Sequence, residues 1–592
     1  MGITLNERFL EATEEHRKAT AFLTKRDGEW MSFSFGWARE QVKKTAFGLA
    51  SLGLERGTRV GILSENRPEW ATTDFGAMAA GFLLVPLYTT LIPSQLAYIL
   101  NDAQAKVVFV STMAHLETIL SIRDLVPALE KVVVFYPQNL EEDEFVISLD
   151  SLKKLGGDRS DKEFAAMSLE VRPEDPATFV YTSGTTGEPK GVVLTHDGFM
   201  AELDVVEPCV EGGEGDVTIS FLPLSHILQR VVDTFSHLHG VTLAYAESME
   251  TLAENLKEVR PTHVVAVPRV WEKIHGKIQE GAHKAPPLKR RLFEWSLEVG
   301  RRYRQAEEKG TIPTGLSIRH SLADALVFKK IRAATGGSVR YYVSTGAPLA
   351  KELAEFFDAV GIRILEVWGM TELTGAATVS TPDAFLFGSV GKPGAGVELK
   401  FTEEGEICIR SRIVMREYWR KPEVTAETID AEGWLHTGDV GHVDEAGFVH
   451  ITDRIKELIV TAGGKNVAPQ PLENALKTDP FVAQAMVIGD KRNFIGALIV
   501  PEEEVLGAWA RDKGIAGNLR ALCGHPEVRA HYERIVADRM DAFSRYEKVR
   551  KFELVSEEFT QEAGELTPTL KLKRRVLLSR YADLIDGMYA AV

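Results

Sequence analysis

The chain has 592 residues, of which 44% are hydrophobic and 26% are charged, as in ordinary globular proteins. It is too long for a single hydrophobic core, so we expect two to four structural units. The net charge of -16 argues against nonspecific binding to nucleic acid, whose phosphates are neutralised by Lys and Arg. We therefore predict no nucleic-acid partner.

Cysteine usage and the N-terminus bear on localisation. Cys209, Cys408 and Cys523 lie far apart and form no C-x-x-C pair, so neither a disulfide framework nor a structural zinc site is expected. Residues 1–8 contain no basic stretch followed by an apolar core. The most apolar window, residues 75–87, is too short to span a bilayer and contains Pro86. A cytoplasmic protein is predicted.

Short apolar runs alternate with helical segments in the first quarter of the chain. This alternation predicts parallel βαβ units with helices on both faces of a sheet. Residues 141–176 are polar and are interpreted as a connector leading to a strand at 178–181. The predicted strands are 59–64, 83–87, 106–110 and 131–135, and the predicted helices are 69–81 and 93–101.

The segment Y-T-S-G-T-T-G-E-P-K-G, residues 181–191, follows the strand at 178–181. Two glycines and three hydroxyl residues within 183–187 can turn backbone N–H groups and hydroxyls toward one anion, and Lys190 adds a charge. The segment is not a kinase-type P-loop, because Glu188 and Pro189 separate the second glycine from the lysine. We predict a polyphosphate-binding loop; the alternative is a Gly/Thr surface turn.

Four more predicted strands end in loops: 218–222, 263–267, 339–343 and 363–366. Such loops converge at one edge of an α/β sheet, where ligands bind. Glu372 is a candidate Mg²⁺ ligand because hard cations take carboxylate and phosphate oxygens. His226 is either a pocket residue or a hydrogen-bonded core histidine, and the sequence leaves both open.

Residues 284–336 differ from the rest in composition. Leu288, Leu292, Trp295 and Val299 recur at spacings of 4, 3 and 4, which predicts a helix with a narrow apolar stripe and basic residues on its other faces. One interpretation is an interfacial helix that rests on a membrane or gathers anionic substrate. The favoured interpretation is a helix packed on the body of the protein with its basic face in solvent.

Glycines and short strands multiply from residue 388, which predicts a β-rich unit up to residue 453. The last section mixes helices and strands and has the size of a compact α+β domain. Its predicted helices are 470–477, 502–512 and 528–543, and its predicted strands are 483–488, 497–500 and 551–554.

These segments together resemble the adenylate-forming superfamily of acyl-CoA synthetases, peptide-synthetase adenylation domains and firefly-type luciferases. The resemblance runs from about residue 19 to 580 and is carried by YTSGTTGEPKG, WGMTE, WLHTGD and DRIKELI in the family's order. Within the family, LTPTLKLKR, VPRVWEKI and the helical insertion at 284–336 are most similar to long-chain fatty acyl-CoA synthetases.

The resemblance implies a fold and an activity. The fold is α/β: a large N-terminal domain (1–453) of doubly wound α/β subdomains plus a small β-rich subdomain, then a small mobile α+β C-terminal domain (454–592). The activity is conversion of a fatty acid to acyl-AMP with ATP and Mg²⁺, followed by transfer to coenzyme A. Alternatives are a fatty acyl-AMP ligase that passes the adenylate to a carrier protein and a non-catalytic nucleotide-binding scaffold. Peripheral attachment to a membrane and a homodimer are both compatible with the sequence.

The resemblance also assigns roles to residues of the nucleotide site. The Thr182–Lys190 loop would bind the β- and γ-phosphates of ATP, Thr371 the α-phosphate, and Glu372 the Mg²⁺. Asp439 would accept the ribose hydroxyls, with Arg454 nearby. The residues assigned to ATP or AMP are Thr182, Ser183, Gly184, Thr185, Thr186, Gly187, Lys190, Gly346, Ala347, Pro348, Trp368, Gly369, Met370, Asp439 and Arg454.

Further assignments concern the mobile domain. Lys456 would be the hinge, and Gly463 and Gly464 would let the pantetheine arm of coenzyme A pass close to the backbone. The catalytic lysine is assigned to Lys573 by register. The commoner superfamily pattern is Ser/Thr-Gly-Lys, whereas Lys571-Leu572-Lys573 stands here, so Lys571 is the alternative. In a third interpretation, the basic residues at the start of this helix have only a structural role.

Overall fold

The structure is a computed structural model that describes residues 3–182, 188–455, 457–462, 465–567 and 571–590. The described residues form two large sheets, a four-stranded sheet, and a separate small unit near the C-terminus. No helix among them combines the length and the apolar character needed to cross a bilayer. The three cysteines are free thiols.

The first large sheet contains the βαβ units that the sequence predicts. Strands β3, β4, β5, β6 and β7 pair in parallel, and β8 and β9 form an antiparallel hairpin at one side. In spatial order the strands are β19 (Glu417–Tyr418), β9 (Lys190–Thr195), β8 (Pro176–Thr182), β4 (Leu83–Leu87), β3 (Arg59–Leu63), β5 (Val107–Val110), β6 (Lys131–Val134) and β7 (Val146–Ser148).

The second large sheet has a parallel centre and antiparallel edges. An N-terminal hairpin, which the sequence reading did not predict, supplies one edge. In spatial order the strands are β16 (Lys392–Pro393), β15 (Gly375–Val379), β14 (Ile364–Met370), β13 (Tyr341–Ser344), β12 (His263–Ala266), β10 (Val217–Ser220), β11 (Thr242–Tyr245), β1 (Thr20–Arg26) and β2 (Glu29–Ser34).

Helices cover both large sheets and build most of the interface between them. In this part of the chain they are α1 (Leu5–Glu15), α2 (Phe35–Ala50), α3 (Pro68–Ala79), α4 (Pro93–Ala103), α5 (Met113–Ser121), α6 (Leu149–Leu155), α7 (Asp161–Ser168), α8 (His196–Val206), α9 (Ile227–Leu238), α10 (Leu252–Val259), α11 (Pro268–His283), α12 (Pro287–Glu308), α13 (Thr314–Ala323), α14 (Lys329–Ala333) and α15 (Lys351–Ala359).

Two expectations of the sequence reading are wrong. Residues 141–176 are not a plain connector, because they contain β7, α6 and α7; the Ser160–Glu163 capping box starts α7. Strand β14 does not end at residue 366 but continues through Met370, because Trp368 and Gly369 pair with Thr378 and Ala376 of β15. In both cases a polar or glycine-containing segment forms more regular secondary structure than its sequence predicts.

The basic insertion packs on the body, in agreement with the favoured interpretation. Along the stripe of α12, Val299 is buried and Trp295 is partly buried, whereas Leu288 at the N-terminal end is 80% exposed. Helices α13 and α14 follow and are joined by a π-helical segment, Asp324–Phe328. The helical insertion therefore adds a layer of helices to one side of the second large sheet.

The last third of the chain contains the remaining elements. A four-stranded antiparallel sheet consists of β17 (Glu398–Phe401), β18 (Glu406–Arg410), β20 (Leu435–Val443) and β21 (Val449–Arg454), with α16 (Pro422–Thr428) beside it. The C-terminal unit has its own hydrophobic clusters. Its elements are β22 (Ile459–Val460), β23 (Asn466–Val467), α17 (Pro469–Lys477), β24 (Val482–Ile488), β25 (Ile495–Pro501), α18 (Glu503–Asp512), α19 (Leu519–Cys523), α20 (Pro526–Arg539), β26 (Val549–Leu554), α21 (Arg574–Arg580) and α22 (Ala582–Ala590).

A buried ion pair joins the two large sheets. The Arg230 guanidinium on α9 donates to both carboxylate oxygens of Asp74 on α3, with Nε 2.8 Å from Oδ2. It also donates to the Thr178 hydroxyl on β8. The Arg230 and Asp74 side chains are only 2% and 4% exposed. Because an unpaired buried charge is strongly destabilising, this contact fixes α9 against β8.

We predict that Arg230→Met lowers the free energy of unfolding of the N-terminal domain by roughly 3–5 kcal/mol, because it leaves the Asp74 carboxylate buried without its partner. Calorimetry of the N-terminal transition measures the effect. The double variant Arg230→Met/Asp74→Leu should be less destabilised than the single variant. Arg290→Met, which removes an exposed partner of Glu294, serves as the matched surface control and should change the transition little.

Candidate active site

The predicted phosphate loop joins two antiparallel strands of the first sheet. β8 ends at Thr182 and β9 begins at Lys190, and these two residues are register partners. Gly191 faces the ring of Tyr181, where an added Cβ would lie 3.0 Å from the ring, so the close packing of the two strands requires glycine here. Ser183, Gly184, Thr185, Thr186 and Gly187 lie outside the described residues.

Tyr418 connects the base of this loop to the predicted metal ligand. The Lys190 ammonium lies 4.2 Å from the centre of the Tyr418 ring. The Tyr418 hydroxyl donates to Glu372 Oε1 at 2.6 Å. A cation–π contact and a charge-assisted hydrogen bond therefore hold Lys190 and Glu372 at opposite ends of one side chain. The pairing of β19 with β9 brings Tyr418 to this position.

Thr371 and Glu372 form a short 3₁₀ turn directly after β14, and both are buried. The turn ends at Thr374, whose φ of 58° is unusual for a β-branched residue. Two hydrogen bonds hold it there: Thr374 Oγ1 donates to the Ile413 carbonyl at 2.7 Å, and the Met415 N–H donates to the Glu372 carbonyl at 2.7 Å. Backbone strain of this kind clusters at functional sites.

Asp439 lies between Trp368 and Arg454. The Trp368 indole N–H donates to Asp439 Oδ2 at 2.8 Å, and Arg454 Nε lies 2.9 Å from Oδ1. The nearby carboxylate of Asp439 raises the pKa of Arg454. Asp439 and Arg454 are register partners on β20 and β21, so the pairing of these strands creates the ion pair. The sequence-predicted ribose group is thus a buried, preorganised carboxylate.

The other predicted nucleotide residues flank the same region. Gly346, with a φ of 85°, follows β13 and lines a cavity together with Gly369 and Met370. Ala347 is exposed and Pro348 is partly buried beside it. Because β13 and β14 are adjacent and parallel, their carboxyl ends bring the two segments to one edge of the sheet.

The cavity has a volume of about 110 Å³ and mostly apolar walls. Helices α8 and α9 form one side, with Val206, Val231 and Phe235 among the lining residues. Strands β10, β12, β13, β14 and β15 form the other side. An apolar cavity of this kind suits a hydrocarbon group.

His226 lies at the end of the cavity nearest the nucleotide residues and caps α9. Its Nδ1 accepts from the Leu228 N–H at 3.1 Å, which leaves Nε2 as the protonated nitrogen of a neutral ring. Burial, aided by the positive charge of Lys571, lowers the pKa of His226 to about 4. His226 is therefore a neutral pocket residue that can donate from Nε2, rather than a histidine fully hydrogen-bonded within the core.

Lys571 is the lysine that approaches the site. Its ammonium interacts electrostatically with Arg454, Asp439, Glu457 and Glu372. Lys571 is exposed at the surface of the protein, but the protein around its ammonium group, aided by Arg454, lowers its pKa to about 8. A cation at this point faces the carboxylates of Glu372 and Asp439, the predicted metal and ribose ligands.

Lys573, the lysine predicted from the sequence, is placed differently. It is the N-cap of α21, and its backbone N–H donates to the Glu565 carbonyl at 2.8 Å. The bridge between Leu566 and Leu572 sets this register, together with the Thr567 N–H bond to the Lys571 carbonyl. Lys571 is therefore our candidate for the catalytic lysine that moves with the C-terminal domain. Lys456, Gly463 and Gly464 lie outside the described residues.

Comparison with known sequences identifies the family. The profile described as "AMP-binding enzyme" matches residues 9–419, and the profile described as "AMP-binding enzyme C-terminal domain" matches residues 456–592. The chain belongs to the AMP-binding enzyme family. It is 37% identical over 568 residues to long-chain-fatty-acid–CoA ligase FadD15 of Mycobacterium bovis, covering 95% of this chain and 93% of that protein. It is 34% identical to long-chain-fatty-acid–CoA ligase ACSBG2 of Xenopus laevis, covering 99% and 84%.

Solved structures share the fold. The adenylation domain of a carboxylic acid reductase from Segniliparus rugosus, in complex with AMP and a co-purified carboxylic acid, superposes with a TM-score of 0.77 at 21% identity, covering 100% of this chain and 95% of that chain. The anthranilate CoA ligase AuaEII in complex with anthranoyl-AMP gives 0.74 at 22% identity, covering 99% and 98%. These likenesses confirm the predicted AMP-binding architecture of a large and a small domain.

Two residues in and beside the site were not predicted from the sequence. Tyr418 was not predicted because nothing local indicates that a two-residue strand returns to β9. Glu202, in the wall of the cavity, was not predicted either, although its carboxylate is fully buried beside β15. A charged residue among the apolar positions of α8 was the signal that could have drawn attention to it.

We predict that Asp439→Asn weakens AMP binding by about 10- to 100-fold, because it removes the charge paired with Arg454 and a strong acceptor for hydroxyl groups. Isothermal titration with AMP measures the effect. The exposed Glu432, on the same subdomain, provides the control: Glu432→Gln should bind AMP as the wild type does. Equal affinity of Asp439→Asn and the wild type would contradict the assignment.

Proposed function

We propose that the protein activates a long-chain fatty acid with ATP to acyl-AMP, releasing pyrophosphate, and then transfers the acyl group to coenzyme A. The observation that carries this proposal is the convergence of Glu372, the Asp439–Arg454 pair and Lys571, whose charge also acts on His226 in the wall of the apolar cavity. The names of the curated relatives support the same substrate class.

In the first half-reaction a fatty carboxylate attacks the α-phosphorus of ATP. Both partners are anionic, so positioning and charge neutralisation must supply most of the rate acceleration. We assign this task to the Thr182–Lys190 loop for the leaving pyrophosphate, to Thr371 for the α-phosphate, and to Lys571. The neutral His226 is suited to orient the fatty carboxylate by donating from Nε2.

The Glu372 carboxylate fits a Mg²⁺ ion. Tyr418 occupies Oε1, and in the described ranges no hydrogen bond reaches Oε2, so one hard oxygen is available. When bound, the ion neutralises charge on the phosphates. The Tyr418 hydrogen bond orients Glu372 for this role.

In the second half-reaction the thiol of coenzyme A attacks the acyl carbonyl carbon and AMP leaves. Lys571 then has no leaving pyrophosphate to stabilise. We infer that the C-terminal domain rotates about Lys456 and replaces Lys571 with the loop that carries Gly463 and Gly464. Two contacts would break: Lys477 Nζ with Glu272 at 3.1 Å, and Arg269 Nη1 with the Ala483 carbonyl at 2.8 Å.

An assay with and without coenzyme A tests the function. Fatty acids of two to about twenty carbons are supplied with ATP, and pyrophosphate, AMP and acyl-CoA are measured. AMP release that requires coenzyme A is expected. Accumulation of acyl-AMP without thioester formation would favour the carrier-dependent ligase, and absence of pyrophosphate with every acid would favour a non-catalytic scaffold.

The same assay also measures which chain length of fatty acid the protein prefers. The cavity of about 110 Å³ is smaller than the roughly 150 Å³ of an engineered protein cavity that binds benzene. A long acyl chain therefore requires movement of the walls, and α9 can move only at its C-terminal end because Arg230 anchors the other end. We expect the largest change on binding near Phe235 and Val241, measurable as lost hydrogen-exchange protection.

We predict that Lys571→Ala lowers kcat/KM for ATP in adenylation by about 10²–10³, the usual effect of removing one electrostatic contact to a transition state. Lys573→Ala, two residues away, is the matched control and should stay within a factor of about 3. If the two variants were equally impaired, the segment would act as a unit and the assignment to Lys571 would fail.

A pH profile provides an independent test of the same residue. The protonated form of Lys571 is the active form, and its pKa is lowered to about 8, so kcat/KM for ATP should fall as pH rises through 8. Lys571→Arg keeps its charge above this pH and should lose the falling limb. An unchanged limb in Lys571→Arg would contradict the assignment.

We also propose that the helical insertion attaches the protein to anionic membranes. Residues 284–336 contain twelve Lys and Arg and five Asp and Glu, a net charge of +7 in a chain of net charge -16. On α13 and the π-helical segment, Ile318, Leu322 and Leu326 recur every four residues and are 66%, 52% and 41% exposed. Apolar side chains beside uncompensated basic charge are the features of an interfacial helix.

Vesicle flotation measures this attachment. We expect binding to vesicles of 70% phosphatidylcholine and 30% phosphatidylglycerol, and about 100-fold weaker binding after Arg319→Glu/Lys329→Glu/Lys330→Glu, since each basic residue contributes roughly 1 kcal/mol near such a surface. Ile318→Ser/Leu322→Ser/Leu326→Ser should also weaken binding. Leu155→Ser/Leu169→Ser, with 55% and 53% exposure elsewhere, is the control. Equal binding of all variants would refute this surface.

A further inference from the structure

A carboxyl group lies in the wall of the apolar cavity and has an oxygen without a partner. Glu202 on α8 has no exposed surface and lines the cavity. Its Oε1 accepts from the Ala376 N–H at 2.6 Å. Among the residues that the structure describes, none forms a hydrogen bond with its Oε2. Such a group is costly to bury, so an unsatisfied one calls for an explanation.

Other polar side chains in the wall are satisfied by the protein itself. Ser236 donates to the Val232 carbonyl at 2.7 Å, and Thr218 donates to the His263 carbonyl at 3.2 Å. His263 uses one ring nitrogen on the Thr262 hydroxyl and the other on the Glu211 carbonyl. Glu202 Oε2 therefore differs from these three side chains, whose polar atoms have partners within the protein.

Burial determines the chemistry of this carboxyl group. It raises the pKa of Glu202 well above the usual range, and within the described part of the chain no Lys or Arg forms an ion pair with this carboxyl group. Glu202 is consequently a neutral acid, which can donate one hydrogen bond and accept others. A neutral acid suits an uncharged oxygen function and disfavours a second carboxylate.

The position of Glu202 along the cavity follows from its backbone contact. Ala376 on β15 is the register partner of Gly369 on β14, and paired strands lie about 4.8 Å apart. Gly369 lines the cavity and is one of the residues assigned to the nucleotide from the family resemblance. Glu202 therefore lies one strand away from a predicted nucleotide residue, which in the proposed function puts it toward the reacting end of the acyl chain.

A close approach keeps the group in place. Gly375 has a φ of 157°, and an added Cβ there would lie 2.4 Å from Glu202 Oε1. The glycine lets the carboxyl group reach the Ala376 N–H, so Oε1 is held by the backbone and Oε2 is the oxygen left for another molecule.

We propose that Glu202 is a specificity residue that hydrogen-bonds a hydroxyl or keto oxygen on the carboxyl-proximal part of the acyl chain. The proposal rests on the proposed function, since it concerns the acid that the site activates. An apolar pocket alone discriminates poorly against an added hydroxyl, whereas a buried group that must be satisfied discriminates strongly. The favoured substrates are then oxygenated fatty acids rather than plain saturated ones.

The test compares dodecanoic acid with its 2-, 3-, 5- and 12-hydroxy derivatives in the pyrophosphate-release assay. We expect kcat/KM to be at least 10-fold higher for one of the 2-, 3- or 5-hydroxy acids than for dodecanoic acid, and no such gain for the 12-hydroxy acid. Glu202→Met, an apolar side chain of similar length, should abolish the gain while turning over dodecanoic acid at least as well as the wild type.

Glu202→Gln retains a donor and an acceptor and should retain most of the gain. Equal turnover of the hydroxy acids and dodecanoic acid by the wild type overturns the proposal, as does a preference for the 12-hydroxy acid alone. A Glu202→Met variant that loses activity equally with all acids assigns Glu202 to holding β15 and also overturns it. Failure of the wild type with every acid contradicts the proposed function instead.

Discussion

The buried Arg230–Asp74 ion pair is the constraint on which the site depends. Arg230 also donates to Thr178, four residues before the phosphate loop begins. The same helix, α9, carries His226 at its start and forms a wall of the apolar cavity. One guanidinium therefore sets the distance between the strand that leads to the predicted phosphate loop and the helix that lines the apolar cavity. The bidentate geometry makes this coupling stiff as well as strong.

A second set of contacts depends on short antiparallel pairings at the sheet edges. β19 is only two residues long, yet it brings Tyr418 between Lys190 and Glu372. The pairing of β20 with β21 sets Asp439 against Arg454. These edge strands convert loops that are distant in sequence into one preorganised electrostatic site. The proposed adenylation needs rigidly placed charges, since both of its reacting groups are anions.

In the proposed mechanism, the C-terminal domain contributes a lysine that is withdrawn between the two half-reactions. Arg574, three residues after Lys571, is tied to Glu473 and Glu457 within its own domain. These contacts hold the segment of Lys571 to the C-terminal domain rather than to the N-terminal domain. This division suits a catalytic group required in one half-reaction and displaced in the next.

Local sequence determined much of this protein. The apolar strands of the first sheet, the Gly/Thr loop and the order of the motifs were sufficient for the fold class and the family, because buried parallel strands and phosphate-binding turns need particular residues at particular spacings. Glu372, Asp439 and Arg454 were also named from sequence, and the structure brings them together.

Only the tertiary structure decided the rest. The bridge between Leu566 and Leu572 sets the register of this segment and is what favours Lys571 over Lys573 in our proposal, because a shift of two residues leaves the local pattern unchanged. Tyr418 is positioned by its pairing with β9, and Glu202 is held by a hydrogen bond to β15; both strands are distant from these residues in the chain. Hydrogen bonds and charge pairs form between residues that meet in space, so a sequence can indicate which groups are available but not which of them are left unsatisfied.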